Sequence, residues 1–156
     1  MNDRHRPGSP IPAMQPNVEI ILWGAILSSM LLFAVVGWFV VSQGLAGTEV
    51  RLAPAVQSTL NVSALVLWLL ALALPRYLKS PEKVRALHQT PEEQVKTGKM
   101  VLAVSWGLGE AGVLMGFVMM ILAGNFPLFL PYLGAGVLVH VLNFPRLHRY
   151  GGDTQK

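Results

Sequence analysis

The chain contains no cysteine, which excludes disulfides, thiolate chemistry and Cys-ligated metals and leaves the redox compartment open. Charge is scarce as well: Asp, Glu, Lys and Arg make up 13% of the residues, whereas a soluble domain carries roughly 25%. The four histidines, His5, His88, His140 and His148, are too dispersed for a zinc site or for paired axial haem ligands. There is no HExxH, no glycine-rich nucleotide loop, and no serine, histidine and acid grouped at one depth to form a triad. The expectation is a non-enzymatic protein with no metal and no cofactor. Nucleic-acid binding is not expected either, because the basic residues of the middle loop are offset by Glu82, Glu92 and Glu93 and form no docking motif.

What the chain has is apolar length. Hydrophobic residues make up 53% of its 156 positions, and the mean hydropathy is +0.49. Four runs, at about 20–41, 56–74, 99–122 and 128–144, reach or approach the roughly 20 residues that a spanning helix requires. The fold class predicted is all-α, a four-transmembrane-helix bundle occupying residues 19–149 and embedded in a lipid bilayer. Residues 1–18 hold prolines at 7, 10, 12 and 16 and read as a disordered tail. The first apolar run is about 20 residues long, longer than the 7 to 15 of a cleaved signal peptide. Residues 150–156 form a short polar tail.

Local signals mark the ends of the runs. Asn17 is a candidate N-cap for the first span, and Trp23 and Trp38 sit near its two ends, where aromatic rings favour the interface. Asn61 and Ser63, near the start of the second span, are expected to face the bundle or the headgroups, and Pro75 and Arg76 are expected to close that span. In the polar segment 75–98, Ser80-Pro81-Glu82 resembles a cap followed by a short surface helix. Thr90-Pro91-Glu92-Glu93 has the capping-box pattern with Pro at N1. Gly98 is the sole break signal between Pro91 and the apolar run, so a single helix is expected to extend from Pro91 through the third span. Pro127, with Pro131 near it, marks an apolar turn before the short fourth span.

Basic residues cluster on one side. Arg76, Lys79, Lys83, Arg85, Lys96 and Lys99 lie in or next to the middle loop, Arg146, Arg149 and Lys156 come after the fourth span, and Arg4 and Arg6 precede the first. The opposite connections offer only Arg51. The positive-inside rule then places both termini in the cytoplasm, N-in and C-in, of a bacterial cytoplasmic (inner) membrane. The second and fourth spans close on similar strings, LALPRYL and LNFPRLH, and Ser29-Met30 falls about where Gly109-Glu110 falls in the second half. Two duplicated helical hairpins would account for this. So would a common way of ending a helix at an interface.

The third span carries both the packing signal and the chemistry. Ser105, Gly109, Gly112 and Gly116 share one helix face, and Ala103, Gly107 and Ala111 make a second small row. In lipid such rows permit close backbone approach. Glu110 lies 11 residues past Lys99, hence about 16 Å deep. An ionisable group there is a functional-site hypothesis, and a charged one facing lipid is costly. Ser28 and Ser29, about 12 Å into the first span, are candidate partners for it. The alternative for both serines is a bond back to their own helix. His140 in the fourth span is a second intramembrane ionisable group, about 8 Å from Glu110 in depth, so a direct pair would require a tilt or a bridging water.

The stretch SWGLGEAGVLMGFVMMILAG resembles the acid-bearing helix of the proteolipid (c) subunits of rotary ATPases, through Glu110, Ala111 and Gly116. That resemblance implies an ion-carrying role for Glu110. In the proteolipids the acid sits on the second helix of a hairpin with a short polar loop, whereas here it sits on the first, ahead of an apolar loop. With the terminal FPR, the chain also resembles small four-span bacterial membrane proteins of uncharacterised function. Two functions are therefore expected. One is a small subunit or assembly partner of a membrane complex, with a membrane-protein partner or a homo-oligomer. The alternative is proton or cation translocation through a site centred on Glu110.

Overall fold

The computed structural model describes residues 17–47, 52–78 and 91–145. The two tails, the Ser80-Pro81-Glu82 cap and the capping side chains ahead of Pro91 lie outside the described residues. Among the described residues four helices make a multi-pass membrane bundle: α1 (Asn17–Ser42), α2 (Pro54–Leu78), α3 (Pro91–Ala123) and α4 (Leu130–Leu142). A 3-10 turn over Phe126–Phe129 precedes α4. Three of the helices are long and apolar enough to cross a bilayer, and the apolar stretch Phe126–Leu142 is borderline. Pro131 belongs to the first turn of α4 rather than to the loop, as its fixed φ and missing N–H allow.

α1 and α3 both stop at a glycine in the left-handed region, Gly44 at φ 67° and Gly124 at φ 62°. After α1, Leu45 N–H bonds Val40 O at 3.0 Å and Gly44 N–H bonds Val41 O at 3.1 Å, the pair of bonds that defines a Schellman stop. After α3, Asn125 N–H bonds Met120 O at 3.3 Å. The chain beyond α1 then ties itself to the last turn of α3 through Gly47 N–H to Ile121 O, 3.1 Å. Carbonyls that would otherwise face hydrocarbon unpaired are satisfied in this way.

α3 is the helix against which the others pack. Of its apolar window 39% is buried, against 11% for α1 and 17% for α2, and α1, α2 and α4 all contact it. Gly109, Gly112 and Gly116 face inward. A Cβ on Gly112 would run into the Trp68 indole, and one on Gly116 would overlap Tyr132 at its own Cβ. α1 runs parallel to α3, while α2 and α4 run antiparallel to it. The end holding Glu19 and Lys99 is termed proximal, and the end holding Gly44 and Gly124 distal.

Pro75 does not close α2. The helix continues to Leu78 with Pro75 buried inside it. Proline has no N–H, so the carbonyl of Ala71, four residues earlier, loses its helical partner. Two side chains from other helices replace it: Ser105 Oγ donates to Ala71 O at 2.5 Å and Asn143 Nδ2 donates to the same oxygen at 3.1 Å. Asn143 Nδ2 also donates to Ser105 Oγ at 2.9 Å. One freed carbonyl on α2 thus joins α3 and the end of α4. Replacing Asn143 by Ala is expected to destabilise the bundle by about 1–2 kcal/mol, because two cross-helix hydrogen bonds, about 0.6 kcal/mol each on average in a membrane, are lost. Pro75→Ala restores the N–H, so the same Asn143→Ala change in that background should cost measurably less. Unfolding in detergent of the two singles and the double variant checks this.

Candidate functional site

The seam between α1 and α3 carries two polar pairs. Lys99 Nζ lies 2.9 Å from Glu19 Oε1, with the two side chains 20% and 17% exposed. Deeper in, the Ser29 hydroxyl hydrogen-bonds the Glu110 carboxyl. From Glu19 to Ser29 is 10 residues and from Lys99 to Glu110 is 11, close to three turns of an α-helix on each side. Parallel helices keep such pairs level, so both pairs fall on one line down the seam. Glu110 is half-buried.

Ser29 Oγ also lies 2.8 Å from the Ile26 carbonyl. A hydroxyl has one proton to donate and two lone pairs to accept with. Ser29 can therefore donate to an ionised Glu110. When Glu110 is protonated, Ser29 can instead accept the Glu110 proton while turning its own to Ile26 O. Both protonation states of the acid have a satisfied partner without movement of either helix. Ser28, one residue away, is exposed and bonds back to Gly24 O at 2.8 Å, outside this arrangement.

His140 is 1% exposed and packed in an aromatic cage. Its ring stacks on Trp23 at a centroid distance of 5.0 Å and 20° between planes, and Trp106 approaches at 6.1 Å. Phe144 meets Trp23 edge-on at 5.0 Å. Two reciprocal bonds clamp α1 to α4: Trp23 Nε1 donates to His140 O at 3.2 Å, and His140 Nε2 lies 2.8 Å from Trp23 O. A carbonyl only accepts, so Nε2 carries the proton, and in the neutral ring Nδ1 presents its lone pair. That Nδ1 is the buried side-chain nitrogen or oxygen without a hydrogen-bond partner among the described residues. Trp106, beside the ring, precedes Glu110 by one turn, about 6 Å.

The small rows of α3 separate by role. Ser105, Gly109, Gly112 and Gly116 are buried against α2 and α4. Gly109 also accepts a bond from Trp68 Nε1 at 3.3 Å. In the second row Ala103 and Ala111 are half-buried, and Gly107 is exposed with open space where a Cβ would stand. The polar contacts that reading the chain did not find are the Glu19–Lys99 pair, the Trp23–His140 clamp, Trp106 Nε1 to Asn143 O at 2.9 Å, and the Tyr132 hydroxyl on Asn61 Oδ1. Each involves a single-donor aromatic or a residue at a helix end. The one signal available for them is that Glu19 and Lys99, of opposite charge, open the two spans that run in the same direction. Among the described residues no group of three or more His, Asp or Glu gathers to hold a metal.

Cross-helix hydrogen bonds in membranes average about 0.6 kcal/mol and reach about 1.7. Ser29→Ala is expected to cost an amount in that range, read as a lowered unfolding midpoint in detergent. Glu110→Gln, which keeps an acceptor for the hydroxyl, should cost less. No protein-family model, no curated protein and no solved structure matches this chain.

Proposed function

We propose that this protein is a non-enzymatic membrane protein that translocates protons through a site centred on Glu110. The observation that carries the reading is the Ser29 hydroxyl placed between Glu110 and the Ile26 carbonyl, which gives the acid a partner both with and without its proton. A carboxyl that only held two helices together would need one such state; one that loads and unloads a proton needs both. The oxygen set also favours a proton over Ca²⁺, which requires six to eight oxygen ligands, or Mg²⁺, which requires six in near-octahedral array.

The surroundings supply candidate entries from each end. With the basic loop and both termini in the cytoplasm of a bacterial inner membrane, the Glu19–Lys99 pair stands at the cytoplasmic mouth of the seam. At the distal end an open cleft of about 780 Å³ has Gln57 and Asn125 in its wall. Asn61, one turn from Gln57, pairs with Tyr132, whose ring lies against Gly116. The Tyr132 hydroxyl lies 3.6 Å from Met119 Sδ, which places it about 13 Å beyond Glu110 along α3. Between these stations Met30, Val113, Met120 and Phe129 are fully buried, an apolar barrier of the kind that prevents a continuous leak.

A second reading, a subunit or assembly partner of a membrane complex, draws on the open side of α3, where Gly107 has room for a neighbouring helix. Proteoliposomes with an internal pH dye separate the two. Under an imposed potential the wild type is expected to acidify or alkalinise the lumen faster than empty vesicles, and Glu110→Gln to return the rate to that of empty vesicles. Equal flux in wild type and Glu110→Gln would sink the proton reading.

A further inference from the structure

Two groups in this bundle are each half of a proton-transfer pair. Glu110 and Ser29 form a site that can lose a proton without strain. His140 holds a lone pair on Nδ1, nine-tenths buried and more, with no partner among the described residues. Buried polar atoms almost always have one, and an orphan of this kind needs a reason. Its tautomer is imposed from the other side of the ring by the Trp23 carbonyl. The imidazole is thus held as a base aimed away from α1's backbone, on the helix that packs through Val139 against Gly109, the neighbour of Glu110.

We propose that His140 Nδ1 is the proton acceptor for Glu110, receiving through one bridging water the proton that the Ser29–Glu110 site releases. The inference rests on the proton-handling reading of Glu110. In the step, the carboxylic O–H gives its proton to the water, and the water gives one of its own to Nδ1. A carboxylate and an imidazolium result and the water is regenerated. A water that bridges the two groups accepts from the Glu110 carboxyl and donates to His140 Nδ1, and a buried water is held by two to four such partners. The offset of about one helical turn between Trp106, beside the ring, and Glu110 suits one such molecule.

Among the described residues, the intramembrane acid on the helix that carries Trp106 is Glu110, one turn beyond that residue. Trp23, stacked on the ring, and Trp106, which approaches it, are both neutral. Glu19, one turn before Trp23 on α1, is already paired with Lys99. The proton that makes an imidazolium of His140 leaves a carboxylate at Glu110, so the transfer creates a pair of opposite charge rather than two isolated ions.

Nitrogen-15 NMR of histidine-labelled full-length protein in lipid vesicles tests this directly. On acidification Nδ1 of His140 is expected to change from lone-pair to protonated while Nε2 stays protonated, and the transition should move when Glu110 is replaced by Gln. An Nδ1 protonated at every pH, or a titration indifferent to Glu110→Gln, overturns the proposal. In proteoliposomes His140→Gln keeps a donor for Trp23 O but has no basic nitrogen. It is expected to lower flux by about 10²-fold, the low end of what a positioned proton acceptor contributes. Wild-type flux in His140→Gln overturns the role of His140 and leaves that of Glu110 standing. Wild-type flux in Glu110→Gln overturns the translocation reading, and the coupling seen by NMR then decides proton exchange between the two residues by itself.

Discussion

The carbonyl of Ala71, freed by Pro75 and bound by Ser105 and Asn143, fixes the proximal half of the bundle. In water an unpaired carbonyl finds solvent. In hydrocarbon it must find a donor within the protein or stay unsatisfied at a cost of several kcal/mol. Because the donors come from α3 and from the end of α4, three helices are brought to one point, and their vertical register is set there. Lipid tails are as apolar as the side chains they meet, so apolar burial does little to decide how spanning helices associate. Packing and hydrogen bonds decide it.

With that register set, the glycine face of α3 does the rest. Trp68 seats against Gly112 and Tyr132 against Gly116 because there is no Cβ in the way, and α4 comes close enough for Val139 to touch Gly109. His140 is then carried to the level of Trp23 and Trp106. Its two bonds with Trp23 hold α1 in turn. The position of Ser29 opposite Glu110 is thus the last link in a series of contacts that begins at Pro75, and not a local property of either residue.

This chain of dependence explains what could be read in the sequence. Three spans and a borderline fourth follow from apolar length, and the start of α3 follows from Pro91 at N1. The choice of Ser29 over Ser28 as the partner of Glu110 does not, since neighbouring residues on a helix point about 100° apart and only the facing of α1 selects between them. Ser105 reads as one small residue among several; its role as a donor appears only once Pro75 is seen to lie inside α2. The usual rule, that proline closes a helix, failed at that position because partners on two other helices relieve the penalty. Trp23 reads as an interfacial ring, and half of that ring instead covers His140.

The same contacts bear on why a proton site would be built at a seam between parallel helices. Two parallel helices that touch along their length keep residues three turns apart on one line, so a surface ion pair and a midplane acid fall in sequence without any helix having to tilt. α1 is also the least buried of the long helices, and besides the packing of Phe33 on Phe117 the Ser29 hydroxyl joins it to α3. That bond survives protonation of Glu110 by reversing its direction. A change of charge at the bilayer centre would then leave the packing of α3 against α2 and α4 undisturbed, because the glycine contacts and the Ala71 knot lie on other faces of the helix. The proposed proton site requires this separation of Glu110 from the contacts that hold the fold.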